Sequence, residues 1–337
     1  MRRTLGFIAG AVIGAALLGG CGKTYPVGAV VPTPPPVVPS VTGTYTIPTT
    51  ASDPMGITSS SSVVWFTEEA AGKIAYLNQQ AKITEILLPN TGSEPDGVTI
   101  GPDGNVWFTE YATDRIGRYD PTNTTFTEFV IPTASSDPTS IAIGPGDSAL
   151  WFTESATDRV GMVTLTGSIT DFALPGGTST PLYATSVGND GGIWFTLNGS
   201  DQIGEIVPVT DAISVYDIPT GASQPYGITY GTDHAIWFTE HATGKLGRMT
   251  TNGTFTNEVS LTGCSAPGAL QQGADGKFYI FCTGASPSVL QYDPTNGKMK
   301  SFSLKSGSVP QSAILAFDKK IYFTDSGLNA IEQFTYE

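Results

Sequence analysis

The segment Val64-Trp65-Phe66-Thr67-Glu68 returns along the chain as Val106 to Glu110, Leu150 to Glu154 and Ile236 to Glu240. Degenerate copies run from Ile193 to Leu197, from Phe278 to Cys282 and from Ile321 to Asp325. Aligning the central aromatic gives Trp65, Trp107, Trp151, Trp194, Trp237, Tyr279 and Tyr322, with spacings of 42, 44, 43, 43, 42 and 43 residues. Apolar and β-branched residues fill the segment, and turn-forming residues bound it, so each copy reads as a strand. Seven copies at one steady period of this length predict the blades of a propeller.

Working outward from the aromatic strand, each repeat supplies four strands. The first opens at a proline: Pro54, Pro95, Pro138, Pro181, Pro225, Pro267 and Pro310. A turn such as Gly101-Pro102-Asp103-Gly104 leads into the aromatic second strand. Arg115-Ile116-Gly117-Arg118 opens a third strand, and an alternating outer strand ends on proline, as in Phe126 to Pro132 and Ile169 to Pro175. After Tyr322 the chain supplies only a third strand, Ala330 to Tyr336. Thr42-Gly43-Thr44-Tyr45-Thr46-Ile47-Pro48 has the outer-strand pattern at the opposite end. The predicted fold is therefore all-β: a seven-bladed β-propeller of four-stranded blades over residues 41–337, closed by an N-terminal strand that completes blade seven and removes two exposed edges. A closed ring with no free edge predicts a monomer. The five Trp residues share one repeat position, which points to packing between blades rather than to a stacking platform for sugars or bases.

The first 40 residues differ in kind. Arg2 and Arg3 precede an apolar run from Leu5 to Leu18, which reads as an export signal and is too short for a spanning helix. Leu18-Gly19-Gly20-Cys21 resembles the bacterial lipobox, which implies lipidation at Cys21 and removal of residues 1–21. Gly22 follows where Asp would otherwise stand, and in a Gram-negative cell this implies sorting to the outer membrane, on its periplasmic or surface face. Residues 22–40 are Pro-rich and read as a tether. At about 3.1 Å per residue it reaches roughly 60 Å, so the membrane is contacted through the lipid anchor only.

The whole chain has a formal charge of −14, and 14% of its residues are charged. Every charge in residues 1–40 is basic (Arg2, Arg3, Lys23), so the remainder carries 13 basic against 30 acidic side chains. Such a surface repels phosphate backbones and excludes nucleic acid as a partner. Acidity of this kind serves solubility first, and it also suits cationic ligands or divalent metals.

The repeat phrase P-x-G-I, then G-P-D-G-x-W-F-T-E, then I-G-R is seen in Pro95-Asp96-Gly97-Val98 through Glu110 and in Ile116-Gly117-Arg118. It resembles the streptogramin B lyases (virginiamycin B lyases) over essentially all of residues 41–337. The phrase is mostly scaffold, and a fold does not by itself carry an activity. The resemblance implies Mg²⁺-dependent opening of a cyclic depsipeptide by elimination at its ester. It further implies catalytic His residues directly after the strand-opening Pro of the last two blades. Gly268 and Gln311 stand at those positions, and neither can act as a base near neutral pH. The acid that the resemblance assigns to the metal corresponds to Asp325, suitable oxygen chemistry for Mg²⁺.

Two histidines exist. His234 lies in a turn before Trp237 and reads as solvated, whereas His241 follows Glu240 on the rim. His241 is either an exposed rim residue or a displaced catalytic base. The acids Glu68, Glu110, Glu154, Glu240 and Asp325 end second strands and would ring one mouth of the channel. Five residues after the four Glu stand Lys73, Arg115, Arg159 and Lys245, whereas Leu197 and Cys282 are followed by Gln202 and Pro287. Acid and base appear and vanish together, which predicts a cross-turn ion pair in each blade. Asp325 meets Ala330 instead and is left free by this reasoning.

Cys264 and Cys282 both fall at the same end of blade six, at bridging distance, in a chain exported to an oxidising compartment. A disulfide is expected there, contributing about 3 kcal/mol on the chain-entropy model. The residues after the opening prolines (Met55, Asp96, Thr139, Leu182, Tyr226, Gly268, Gln311) point toward one mouth. Their mixture suits a small polar molecule or a peptide loop better than a reaction centre. The sequence thus predicts a ligand-binding or interaction module with its ligand at Asp96, Tyr226, Gln311 and Asp325. The alternatives are a Mg²⁺-dependent lyase working through His241 with Asp325, and a purely structural envelope component.

Overall fold

The computed structural model describes residues 38–177, 180–186 and 191–336. Seven separate four-stranded antiparallel sheets are arranged as blades, and in six of them the strand order follows the chain. In the seventh, strand Ser40–Thr46 lies on the outside of Ala330–Thr335, which pairs with Ile321–Asp325 and then Pro310–Leu315. Register runs from Ser40 opposite Thr335 to Thr46 opposite Ala330, with a bulge between Val41 and Gly43. The predicted closure is observed.

Each blade is graded from axis to rim by burial. The aromatic second strands are buried along nearly their whole length, whereas outer strands such as Thr125–Val130 alternate between exposed and half-buried. Trp107 packs with Ile131 of its own blade and with Ile141, Leu150 and Phe152 of the next. Trp151, Trp194 and Trp237 make the same kind of bridge to their following blades, so the tryptophans are inter-blade core. The indole N–H of Trp107 donates to Asp103 (3.1 Å), and that of Trp237 donates to Asp233 (3.0 Å). Tyr279 and Tyr322 donate their hydroxyls to Asp275 (2.9 Å) and Asp318 (3.0 Å). At these four positions the turn aspartate satisfies the one polar atom that the ring brings into the core, whereas Trp194 Nε1 is buried with no partner among the described residues.

Near the axis the blades are stapled by threonine. The amide of Gly97 donates to Thr109 Oγ1 (2.8 Å), and that hydroxyl donates to the carbonyl of Thr139 in the next blade (2.7 Å). Thr67, Thr239 and Thr324 repeat both bonds, to Asp96, Gly268 and Met55 carbonyls at 2.6, 2.8 and 2.6 Å. The Thr324 bond crosses the seam between the last blade and the first. Blade six carries Phe281 at this position, and its ring packs on Phe323 with centroids 4.9 Å apart. The neighbouring glycines follow from this closeness. A Cβ on Gly97 would sit 2.3 Å from the Thr139 carbonyl oxygen, and one on Gly117 would sit 2.2 Å from the Phe108 ring.

The five second-strand acids are fully buried and do not ring the mouth. Nor do the following bases pair with them. Lys73, Arg115 and Lys245 instead reach the outer-strand acids Glu85 (3.3 Å), Glu128 (3.7 Å) and Glu258 (3.3 Å). This corrects the cross-turn ion pair, and the physical reason is that burial and a neighbouring acid disfavour the charged form of the second-strand Glu carboxyls. Burial first, and then the adjacent outer acid, pushes Glu68 to about 8, Glu110 to about 7 and Glu154 to about 8. Oxygens lacking a partner come in matched sets: Glu110 Oε1 with Glu128 Oε1, Glu154 Oε1 with Asp171 Oδ1, and Glu240 Oε1 with Glu258 Oε1. A proton between Glu154 and Asp171, and between Glu240 and Glu258, would satisfy both atoms of those sets, while Glu128 acts on Glu110 through its charge.

Blade seven rebuilds this unit from other positions. Glu332 stands where Gly117 stands in blade two, opposite Phe323, and Thr44 of the closing strand donates to it (2.9 Å). Lys305 lies 3.5 Å from the same carboxylate. The disulfide between Cys264 and Cys282 is present, with Cα atoms 5.4 Å apart.

A buried Glu with a raised folded value binds a proton that the unfolded chain has lost. Stability from such a group is therefore full below about 4.5, the ordinary Glu value, and falls as pH rises through the folded value of about 7. Glu110→Gln, which cannot ionise, should gain melting temperature relative to the parent between pH 5.5 and pH 8.5. A difference that is the same at both pH values, measured by thermal unfolding, would contradict the raised value of Glu110.

Candidate functional site

A cavity of about 370 Å³ opens on the propeller axis and is walled by first strands. Six blades each contribute an aliphatic side chain to its wall (Ile57, Val98, Ile141, Ile228, Leu270 and Ile314), and Ser140, Thr229, Gln271 and Ser312 add polar groups between them. Towards the mouth it is lined by Met55, Asp96, Thr139 and Tyr226, the residues that directly follow the opening prolines. The geometry thus brings together two of the four residues expected to bind a ligand, Asp96 and Tyr226. Leu182 is at the same repeat position, but its side chain lies outside the described residues, as does Cys21.

Gln311 and Asp325 do not line this cavity. Gln311 donates to Ser326 Oγ (2.9 Å) on the rim of its own blade. Asp325 is fully buried: Ser308 Oγ donates to it, as do the backbone amides of Val309 (2.8 Å) and Leu328 (3.1 Å). Glu at this position reaches an outer-strand acid, whereas Asp is one methylene shorter and closes on the turn before its own blade's first strand. The expectation of a free Asp325 is corrected accordingly. With both its oxygens engaged, Asp325 does not offer the open carboxylate that Mg²⁺ coordination demands. Among the described residues no cluster of three His, Cys, Asp or Glu side chains could hold a metal ion. The residues present do not fit the metal that the resemblance implies.

His241 lies beside the pocket rather than in its wall. Its ring centroid is 5.6 Å from that of Tyr226, and Nδ1 is 3.1 Å from the Pro267 carbonyl oxygen. A carbonyl only accepts, so Nδ1 is the donor in this contact. The imidazole is thereby held in place as a prop for Tyr226. His234 is in a turn with Nδ1 2.9 Å from the Tyr230 hydroxyl, away from this cavity.

Sequence reasoning missed the rim around Asp96. The residue before each opening proline and the residue after each second strand are joined by a backbone bond, as in Glu69 N to Asp53 O (3.0 Å), Tyr111 N to Glu94 O (3.1 Å) and His241 N to Gln224 O (3.1 Å). These positions vary between blades. In blades one to three they hold Asp53, Glu69, Glu94, Tyr111, Asp137 and Ser155; in blades five to seven they hold Gln224, His241, Ala266, Thr283, Val309 and Ser326. The mouth therefore has an acidic wall and a neutral one. Asp96 is pushed to about 8 by burial first and then by Glu69 and Asp53, and Glu69 to about 6 by burial, Asp53 and Glu94. The signal that would have found this rim is variation at positions flanking invariant repeat landmarks.

Fold and site together define a seven-bladed propeller with a small organic-sized pocket at one end of its axis. The profile of the Virginiamycin B lyase family matches residues 40–334, and the chain belongs to that family. A streptogramin B lyase structure superposes with a TM-score of 0.82 at 30% identity, covering 88% of this chain and 97% of that one. A catalytically inactive form of the virginiamycin B lyase from Staphylococcus aureus, solved with Quinupristin, gives 0.82 at 32% identity, covering 88% and 99%. In sequence, the virginiamycin B lyase of Nocardia farcinica is 35% identical over 63 residues, which is 19% of this chain and 23% of that protein.

Proposed function

We propose that this protein is a lipid-anchored, extracytoplasmic binding module that uses the lyase scaffold to hold a small organic ligand at the axial mouth. The observation that carries this reading is the pocket itself, a cavity of mixed aliphatic and polar lining that includes Asp96 and Tyr226. Concave, largely apolar sites with a few placed polar groups are what small-molecule recognition requires. A family relative solved with Quinupristin supports an organic ligand on this scaffold. Elimination needs a base at the reacting carbon, and Gly268 and Gln311 occupy the positions from which the resemblance implies one. His241 does not line the pocket, and Asp325, its suggested companion, is consumed within its own blade.

Incubating the purified protein with Mg²⁺ and a streptogramin B should return the antibiotic with its ring intact, as read by mass spectrometry. Linearised product that disappears in His241→Ala would establish a lyase with a relocated base and defeat the binding-module reading.

The anchor is the second half of the proposal. It rests on the lipobox-like Leu18-Gly19-Gly20-Cys21 and the Pro-rich stretch that follows. In this reading attachment is through the lipid on Cys21. Cys21→Ala should move the protein from the membrane fraction to the soluble fraction on cell fractionation. Unchanged sedimentation with membranes would remove the anchor from the account.

A further inference from the structure

We infer that the axial pocket is selective for an organic cation, an ammonium or amidinium group seated against the Asp96 carboxylate with the ligand's body against the aliphatic side chains of the wall. This deepens the binding reading above and rests on it.

The inference starts from an imbalance. Asp96 is the sole charged side chain lining the cavity among the described residues. Its backbone carbonyl is taken up by Thr67, yet its carboxyl takes part in none of the ion pairs or side-chain hydrogen bonds found among them. Two nearby acids worsen this, Asp53 before the neighbouring first strand and Glu69 after the neighbouring second strand, while Tyr111 on its own blade is a phenol raised above its usual range and brings no positive charge. No Lys, Arg or His sits on the rim of blades one to three, whereas His241 stands across the axis behind Tyr226.

The same chain solves the problem of buried acids differently at the ends of its second strands. Glu68, Glu110 and Glu240 each have an outer-strand acid beside them and a base to balance the pair. Asp325 has three donors. At Asp96 no internal donor or base is supplied, and the carboxyl faces open volume instead. A desolvated carboxyl with acids behind it and a cavity before it is completed by a cation entering from solution. Tyr226, three blades further round the ring, lines the same cavity and gives the bound group an aromatic wall, a surface that favours cations. Inorganic divalent ions fit less well, because one carboxylate cannot replace a hydration shell of six oxygens.

The test uses the full-length protein and two probes of fixed charge, benzamidinium and benzyltrimethylammonium, with benzamide as the neutral shape control, by isothermal titration calorimetry. Both cations should bind at least tenfold more tightly than benzamide at pH 8.5. Asp96 is protonated below about 8 in the free protein, and only its ionised form attracts a cation. Affinity should therefore rise as pH increases from 6 to 8.5, roughly tenfold per unit at most while the carboxyl remains protonated. Asp96→Asn should remove both the preference for cations and the pH dependence, and it should leave the thermal unfolding profile at pH 6 close to the parent's. Tyr226→Ala should weaken every probe that binds. Benzamide binding as tightly as the cations, with sensitivity to Tyr226→Ala, would overturn the charge selectivity while leaving the pocket reading standing. Binding by none of the three would overturn the inference and count against the pocket as well. Cation binding that is unchanged by Asp96→Asn would overturn the assignment to Asp96.

Discussion

A threonine hydroxyl near the axis, bridging two first strands, is the contact on which the rest of this molecule depends. Each such hydroxyl accepts from an amide of its own blade and donates to a carbonyl of the next, as Thr109 does between Gly97 and Thr139. Blades do not share a sheet ladder, so their innermost backbone groups would otherwise be buried without partners, at a cost of about 1–3 kcal/mol each. The side chain does between blades what a ladder bond does within one. It also fixes the spacing that only glycine tolerates at Gly56 and Gly97, where a Cβ would fall 2.3 Å from the next blade's carbonyl oxygen. The width of the axial pocket is a consequence of that spacing.

The outer part of each blade is governed by a second constraint, the disposal of buried carboxyl groups. A Glu at the end of the second strand is long enough to reach an acid on the outer strand, and a proton held by the Glu removes the repulsion that burial would amplify. Asp325 is too short for this and folds back on Ser308 and Val309. Blade seven then moves the acid to Glu332 and draws its base, Lys305, from the preceding loop. The closing strand enters this arrangement through Thr44 and becomes part of the electrostatics of the blade it completes.

How much of this was legible in the sequence follows from what a repeat reports. A period and an aligned aromatic reveal correspondence between blades, so the blade number, the inter-blade tryptophans, the closing strand and the Cys264–Cys282 bridge could all be read. Correspondence does not say which neighbour a side chain turns to. Glu68 and Lys73 stand opposite one another in register, which suggested a pair, yet the lysine nitrogen leans outward to Glu85. The same limitation misplaced Asp325, which is buried like the acids at its repeat position, and Gln311, whose repeat position lines the cavity in four other blades. The acidic wall of Asp53, Glu69 and Glu94 went unread for the opposite reason: alignment draws attention to what recurs, whereas a binding site on a symmetric scaffold is made from what does not.

The seam between blades seven and one is where this account is most exposed, because there the staple joins residues from opposite ends of the chain. Replacing Thr324 with Val keeps the volume and removes the hydroxyl that links Ser312 N to the Met55 carbonyl. Urea unfolding of Thr324→Val should show a single transition destabilised by about 2–4 kcal/mol, since two buried backbone groups lose their partners, with Thr324→Ser recovering most of the loss. A Val variant as stable as the parent would show that the threonine staples do not hold the ring together.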